Sequence, residues 1–117
     1  MRHPLVSVIT VTLNCLKDGR KDFLLQNFES VHNQTYGAVE HIVVDGASTD
    51  GTGELLEKFR NKGWISYVSA RDDGIYDAIN RGHRLASGEY VLVLNSDDWY
   101  ASDDVIENMV KAALEHD

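Results

Sequence analysis

Seven aspartates follow apolar runs of the sequence, in places where carboxylates can bind a divalent cation. They are Asp45, Asp50, Asp72, Asp73, Asp77, Asp97 and Asp98. Two carboxylates about 4 Å apart repel by roughly 4 kcal/mol at an effective dielectric of about 20, and a divalent cation relieves that repulsion. Mg²⁺ favours one or two carboxylates together with the phosphates of a substrate. The aspartates therefore indicate a nucleoside diphosphate bridged to Asp97 or Asp98 by Mg²⁺ or Mn²⁺.

The same residue types also have structural uses. Asp-Gly and Ser-Asp pairs form turns, so each acidic loop taken alone is typical of a turn or a helix cap. Ser102, Asp103 and Asp104 are better explained as the start of a helix than as metal ligands. The histidines have no metal-ligand spacing, and Cys15 has no evident base partner. These residues are interpreted as surface, packing or capping groups.

Alternating strand-like and helix-like segments must position the aspartates. The predicted strands span residues 5–13, 39–44, 64–69 and 90–94. Helical spacing of apolar residues predicts helices over residues 22–33, from a cap at Thr49 or Asp50 to about Gly63, from about 75 to 86, and from about 105 to 114. The segments between strands are long enough for helical crossovers, which predicts a parallel sheet covered by helices.

The predicted strand order is 3-2-1-4, which reverses direction between the first and fourth strands. Ligands of such sheets bind beyond the carboxyl ends of the strands at the point of reversal. We therefore expect a crevice between residues 12–14 and residues 95–98, with all seven aspartates along one edge of the sheet.

Length and composition exclude several classes of protein. The 117 residues support one domain, and a formal charge of −8 argues against electrostatic binding of nucleic acid. The longest apolar runs have about five residues, too few to span a bilayer, and no signal peptide precedes the first strand. A single cysteine permits no internal disulfide, which favours a reducing cytoplasm.

Four segments, in order, resemble the signature blocks of family 2 glycosyltransferases with the GT-A fold. They are residues 6–14 (VSVITVTLN), 43–52 (VVDGASTDGT), 73–82 (DGIYDAINRG) and 86–98, in which ASGEY is followed by the acidic, DxD-type LNSDD. The resemblance implies an α/β, Rossmann-like fold with helices on both faces of a parallel sheet. It also implies that residues 1–117 form the donor-binding part of one domain, and that the acceptor-binding half is absent.

The resemblance also implies roles for individual residues. Thr12 and Asn14 would line the nucleotide pocket, and Asp45 would accept a hydrogen bond from the base. Asp77 and Asn80 would face the sugar or phosphate side of the donor. Asp97 would contact the ribose or the metal, and Asp98 would coordinate the Mg²⁺ or Mn²⁺ ion that holds the diphosphate.

The implied activity is transfer of a sugar, with inversion, from a nucleotide-diphosphate sugar to a glycan or lipid-linked acceptor. The general base is expected beyond residue 117, so we expect weak or absent transfer by this chain alone. The family suggests a hexosyltransferase of cell-surface polysaccharide assembly, at the cytoplasmic face of the membrane. Self-association and peripheral membrane attachment stay open.

Three other classes remain as alternatives. A phosphoacceptor receiver domain needs an acidic pair after the first strand, where this chain has Thr12, Leu13 and Asn14. A nucleotidyltransferase needs a glycine-rich basic loop there, and residues 14–20 contain only fragments of one. The third alternative is a non-catalytic nucleotide-binding or assembly module that retains the fold.

Overall fold

The computed structural model describes residues 2–116, which form a parallel sheet and its covering helices. The strands are β1 (Val6–Thr12), β2 (Val39–Asp45), β3 (Ser66–Ser69) and β4 (Tyr90–Val93). The helices are α1 (Lys21–His32), α2 (Thr52–Asn61), α3 (Ile75–Leu85) and α4 (Val105–Glu115), with a short 3-10 turn at Lys17–Gly19.

The strand order is β3-β2-β1-β4, and each neighbouring pair is parallel. The order predicted from the sequence is therefore confirmed, including the reversal of direction between β1 and β4. In the central pair, Val6 lies opposite Val39 and Thr12 lies opposite Asp45. Because the strands run in register, their carboxyl ends meet along one edge of the sheet.

Apolar side chains cover both faces of the sheet, as predicted. On one face, Ile42 and Val44 of β2 pack with Ala78 of α3. On the other face, the core combines residues of α1, α2 and α4 with the strands, and both Leu24 and Phe28 of α1 are fully buried. Alternate residues of the central strands are thus buried on opposite faces, which explains their continuous apolar sequence.

Helix α3 lies unusually close to β1. A Cβ atom added to Gly82 would come within 2.6 Å of Cγ2 of Ile9. Even an alanine at this position would therefore force α3 away from the sheet, so a glycine allows the close packing.

The ends of the elements lie within about two residues of the sequence-based expectation. The third strand begins at Ser66 rather than residue 64, because the Trp64 N–H donates to the Phe59 carbonyl at the end of α2. The Trp64 ring stacks on His32 with 3.8 Å between ring centroids. Asp104 is the cap residue of α4, but within the described residues its side chain makes no capping hydrogen bond. Instead, Oε1 of Gln34 accepts a 2.9 Å hydrogen bond from the backbone N–H of Ile106.

No helix between residues 2 and 116 is both long enough and apolar enough to cross a membrane.

His41 is a polar residue of β2 that lies within the core. Its ring contacts Phe28 edge-on, and its Nε2 lies 2.8 Å from Oγ1 of Thr10. Burial lowers the pKa of His41 from 6.5 to about 3, because the charged imidazolium would lose its hydration. The folded protein therefore holds this ring in its neutral form.

We predict that His41 makes the stability of the fold depend on pH. Below pH 6.5 the unfolded chain takes up a proton that folded His41 does not bind until about pH 3, so stability present above pH 6.5 falls with pH across that window. Between about pH 7.5 and about pH 5.5, the wild type should lose about 1.4 kcal/mol more free energy of unfolding than His41→Leu. Urea denaturation measures this difference.

The matched control is His83→Gln, at an exposed position of α3. It should keep the wild-type pH dependence. A His41→Leu curve parallel to that of the wild type would contradict the assignment.

Candidate functional site

The carboxyl ends of the strands form the edge where the sequence places its acidic residues. Thr12 lies opposite Asp45, and Asp45 lies opposite Ser69, so three strands end level with one another. The backbone N–H of Leu94 donates to the carbonyl of Ile9, which brings the segment after β4 alongside β1. This arrangement leaves a crevice where the strand order reverses.

Asp45 is a fully buried carboxylate at the centre of this edge. Its Oδ1 accepts hydrogen bonds from Oγ1 of Thr12 at 2.7 Å and from Oγ of Ser48 at 2.6 Å. Its Oδ2 accepts hydrogen bonds from the Ser48 N–H at 2.9 Å and from Oγ of Ser69 at 2.7 Å. Asp45 therefore joins β1, β3 and the loop after β2.

These contacts bear on the expected role of Asp45. A carboxylate has about four positions at which it accepts hydrogen bonds, and four protein donors occupy them here. A direct contact with a nucleotide base would require one of these donors to move. The partner expected to line the pocket, Thr12, is itself only 1% exposed and directs its hydroxyl to Asp45.

Asn14 connects the loop after β1 to the loop after β2. Its backbone has a positive φ of 49°, a conformation that asparagine tolerates better than most residues. Its Oδ1 accepts a hydrogen bond from the Thr49 N–H at 2.8 Å, and its own N–H donates to Oγ of Ser48 at 2.8 Å. Asn14 thus shapes the mouth of the crevice through both its side chain and its backbone.

Asp50 connects the same two loops from the other side. Its Oδ2 accepts the N–H groups of Leu16 and Lys17 at 2.9 and 3.0 Å, and its Oδ1 accepts both the N–H and the hydroxyl of Thr52. Burial raises the pKa of Asp50, but these hydrogen bonds outweigh it and hold the pKa below its usual range. The cap position of α2 is Gly51, in place of the predicted Thr49 or Asp50, although Asp50 does bind the N–H of Thr52.

The crevice at the reversal point has a volume of about 230 Å³. Its lining residues are Val11, Thr12, Leu13, Arg20, Asp72, Gly74, Ile75 and Ser96. Arg20 was not among the site residues expected from the sequence, where it was only part of an incomplete basic loop. Its Nη2 donates to the Asn14 carbonyl, while its buried Nε has no hydrogen-bond partner within the described residues. Arg20 is therefore a cation held at the crevice with an unused donor.

The expected site residues on α3 do not line this crevice. Asp77 accepts the N–H of Asp73 at 3.0 Å and lies 3.6 Å from Nη2 of Arg81. Asn80 is an exposed residue of the same helix. Asp72 does line the crevice, and its Oδ1 accepts the N–H of Gly74. The structure therefore separates Asp77 and Asn80 from Thr12 and Ser96.

Asp97 and Asp98 are both exposed in the turn after β4. The described residues contain no group of three or more histidine, cysteine, aspartate or glutamate side chains placed to hold a metal ion. The seven aspartates share one edge of the sheet, and the metal site expected from the sequence uses only two of them, Asp97 and Asp98. Two adjacent carboxylates still match the donor set of a cation that completes its coordination with substrate phosphates.

A second cavity, of about 270 Å³, lies between the start of the chain and α4. Its lining includes Arg2, His3, Tyr36, Val110 and Leu114, and is mainly apolar. It includes none of the aspartates that follow the strands. We therefore assign the candidate site to the smaller crevice, which is lined by the end of β1, by Asp72 and by Ser96.

Comparison with known proteins identifies relatives over nearly the whole chain. Residues 7–117 match the family model described as glycosyl transferase family 2. An uncharacterized glycosyltransferase of Mycobacterium tuberculosis is 39% identical over 110 residues, covering 93% of this chain and 40% of that protein. A PGL/p-HBAD biosynthesis glycosyltransferase of Mycobacterium bovis is 34% identical over 119 residues, covering 100% of this chain and 44% of that protein.

Solved structures match in the same way. The mannosyltransferase PcManGT of Pyrobaculum calidifontis, in complex with GDP-Man and Mn²⁺, superposes with a TM-score of 0.81 and 27% identity, over 94% of this chain and 32% of that chain. S. aureus TarS in complex with UDP-GlcNAc gives a TM-score of 0.82 and 28% identity, over 96% of this chain and 32% of that chain. The chain thus spans less than half the length of these curated relatives and solved structures.

We predict that Asp45→Asn lowers the free energy of unfolding by about 2 kcal/mol, because an amide NH₂ group would face donors that now bind a carboxylate. Urea denaturation at neutral pH measures the loss. Asp73→Asn, at an exposed position of the same edge, is the control and should leave stability within about 0.5 kcal/mol. Unchanged stability of Asp45→Asn with weakened nucleotide binding would instead assign Asp45 to the base.

Proposed function

The chain belongs to glycosyl transferase family 2, and on that basis we propose that its crevice binds a nucleotide-diphosphate sugar for metal-dependent, inverting transfer of the sugar. The observation that carries the proposal is the crevice at the reversal point of the sheet, which is lined by Arg20 and by Ser96, the residue that precedes Asp97 and Asp98. At this edge, the guanidinium of Arg20 can bind an anionic ligand, and the carboxylates of Asp97 and Asp98 can bind a metal ion.

Asp97 and Asp98 are proposed to hold Mg²⁺ or Mn²⁺ together with the diphosphate. Support comes from their adjacency and exposure, and from Mn²⁺ in the complex of the related mannosyltransferase with GDP-Man. When bound, such an ion neutralises the negative charge that develops on the leaving diphosphate. Two carboxylates leave coordination positions free for phosphate oxygens, which fits binding of metal and nucleotide together.

Arg20 is proposed to contact the phosphates directly. Its Nη2 is already held by the Asn14 carbonyl, and its buried Nε has no hydrogen-bond partner within the described residues. A planar guanidinium binds phosphate with two parallel hydrogen bonds, an arrangement that lysine cannot reproduce. Thr12, Asn14 and Asp45 then shape the pocket, since their polar groups connect the loops around it.

Asp77 and Asn80 are proposed to contact the donor from α3. Both belong to α3, whose first residue, Ile75, lines the crevice. We propose that they face the sugar or phosphate side of the donor, as the motif resemblance implies. The ion pair between Asp77 and Arg81 would fix the first turn of the helix for that contact.

In the proposed reaction, an acceptor hydroxyl attacks the anomeric carbon of the donor sugar. The bond from that carbon to the diphosphate oxygen breaks, and its electron pair leaves with the nucleoside diphosphate. The hydroxyl proton passes to a general base, and this single displacement inverts the anomeric configuration. We assign none of the described residues to the base, and we propose that residues beyond Asp117 supply it together with the acceptor site.

The wider role is proposed to be assembly of cell-surface glycans. The support is the motif resemblance and the naming of one relative for PGL/p-HBAD biosynthesis. The acceptor would be a glycan or a lipid-linked sugar at the cytoplasmic face of the membrane. The alternative function is a nucleotide-binding module without transfer activity. An assay of sugar transfer to added acceptors, by a form of the protein that includes any residues after Asp117, separates the two functions.

We predict that binding of UDP, GDP or dTDP strengthens when Mn²⁺ or Mg²⁺ is added, and that Asp98→Asn weakens this metal-dependent binding at least about tenfold. Isothermal titration calorimetry with and without the metal measures both effects. Asp103→Asn, an exposed aspartate of the connection before α4, is the matched control and should bind as the wild type does. Failure of the wild type to bind all three nucleotides with metal would overturn the proposal.

We predict that Arg20→Met weakens nucleoside diphosphate binding about tenfold whether or not metal is present, because it removes the cation of the crevice. Calorimetry under both conditions makes the measurement. Arg60→Met is the control, since Arg60 pairs with Glu57 on the exposed surface of α2. If Arg20→Met binds nucleotide as tightly as the control variant, Arg20 is a loop-stabilising residue only.

A further inference from the structure

The turn that contains Asp97 and Asp98, and the segment after it, are hydrogen-bonded to polar side chains of α1 and of the residues that follow α1. The contacts involve Asn27, Ser30 and Gln34, which bind backbone groups of Asn95, Asp98, Tyr100, Ser102 and Ile106. Their spacing of three and four residues follows one face of a helix. The segment between β4 and α4 is therefore anchored at several points along its length.

Asn27 makes the contacts at the acidic end of this segment. It is fully buried, and its Nδ2 donates to the Asn95 carbonyl at 2.9 Å and to the Asp98 carbonyl at 3.0 Å. The N–H of Asp98 also donates to the Asn95 carbonyl, at 3.0 Å, which closes the turn. One buried amide thus binds both ends of the turn that presents the two carboxylates.

The orientation of Asn27 is itself fixed by the core. Oγ1 of Thr10 donates to Oδ1 of Asn27 at 3.5 Å and lies 2.8 Å from Nε2 of His41. If the Thr10 proton goes to Asn27, Nε2 of the neutral His41 ring must carry the proton that it donates to Thr10. This leaves Nδ1 of His41 as an acceptor, and that atom has no partner within the described residues. The chain of bonds runs from β2 through β1 and α1 to the acidic turn.

We propose that Asn27 is a positioning residue that sets the direction of the Asp97 and Asp98 carboxylates, by fixing the backbone of their turn. The inference rests on the proposed function, in which these carboxylates bind the metal–diphosphate group. Residues that orient metal ligands typically change metal affinity by about 10- to 100-fold when they are replaced. Asn27 touches neither metal nor nucleotide, so it acts only through the turn.

Gln34 provides a control that separates positioning of the Asp97–Asp98 turn from general stabilisation of the segment between β4 and α4. Its Nε2 donates to the Ser102 carbonyl at 2.8 Å, and its Oε1 caps α4 at Ile106. Like Asn27, it is a buried amide that binds backbone groups between β4 and α4. Unlike Asn27, it binds the part of the segment that follows the acidic turn.

The test compares Asn27→Leu, which keeps the branched shape of the side chain and removes its NH₂ donor, with Gln34→Leu as the matched control. Asn27→Ser, whose hydroxyl is too short to bridge both carbonyls, provides a second variant if Leu disturbs folding. Hydrogen exchange is followed in peptides covering residues 95–99 and 102–106. Affinities for Mn²⁺ with UDP or GDP, and for the metal-free nucleotide, are measured by calorimetry on the same samples.

For the Asn27 variants we expect faster exchange at residues 95–99 and Mn²⁺–nucleotide binding weakened by about 10- to 100-fold, with metal-free nucleotide binding unchanged. Gln34→Leu should speed exchange at residues 102–106 and keep Mn²⁺–nucleotide affinity near that of the wild type. Either of two results would overturn the positioning role: wild-type metal affinity in the Asn27 variants, or an equal loss in Gln34→Leu.

Failure of the proposed function is recognised separately. A wild-type protein that binds no Mn²⁺–nucleotide complex rejects the metal site before any variant is compared, and the positioning role falls with it. A wild type that binds the complex, with Asn27 variants whose exchange at residues 95–99 is unchanged, rejects the positioning role alone.

Discussion

The site depends on one buried carboxylate whose hydrogen bonds are all made within the protein. An aspartate without water is costly unless donors replace its hydration, and Asp45 receives four such bonds from β1, β3 and the loop after β2. These bonds join the ends of β1 and β3 to that loop, in addition to the backbone pairing that aligns the strands.

A second set of buried polar groups supports the other side of the crevice. Asn27 and Gln34 connect the segment after β4 to α1, so the exposed Asp97 and Asp98 stand on a backbone fixed from the core. One turn thereby combines exposed carboxylates with an anchored backbone, which suits the proposed binding of a metal with a diphosphate. The two sides meet at β1, where Thr12 binds Asp45 and Thr10 binds Asn27.

The sequence predicted the architecture well because the strands, the helices and the long crossovers between them follow from apolar periodicity, which is a local property. It located the edge, the crevice and the acidic turn from the same pattern. The hydrogen-bond partners of individual side chains could not be predicted from the sequence, because they lie far apart along the chain. Asn27, for example, binds carbonyls 68 and 71 residues away. Asn27 is a polar residue beside the buried Leu24 and Phe28 of α1, which is a signal that the sequence contains even though it does not show which carbonyls Asn27 binds.

The distribution of aspartates along one edge has a consequence for how a ligand arrives. The net charge of −8 and the carboxylates at the crevice create a field that repels a free nucleoside diphosphate, over distances of about 8 Å at physiological salt. A diphosphate already complexed with a divalent cation carries less negative charge and meets a smaller barrier. If the proposed donor site is occupied, the acidic edge would favour an order of encounter in which metal and nucleotide approach as one species.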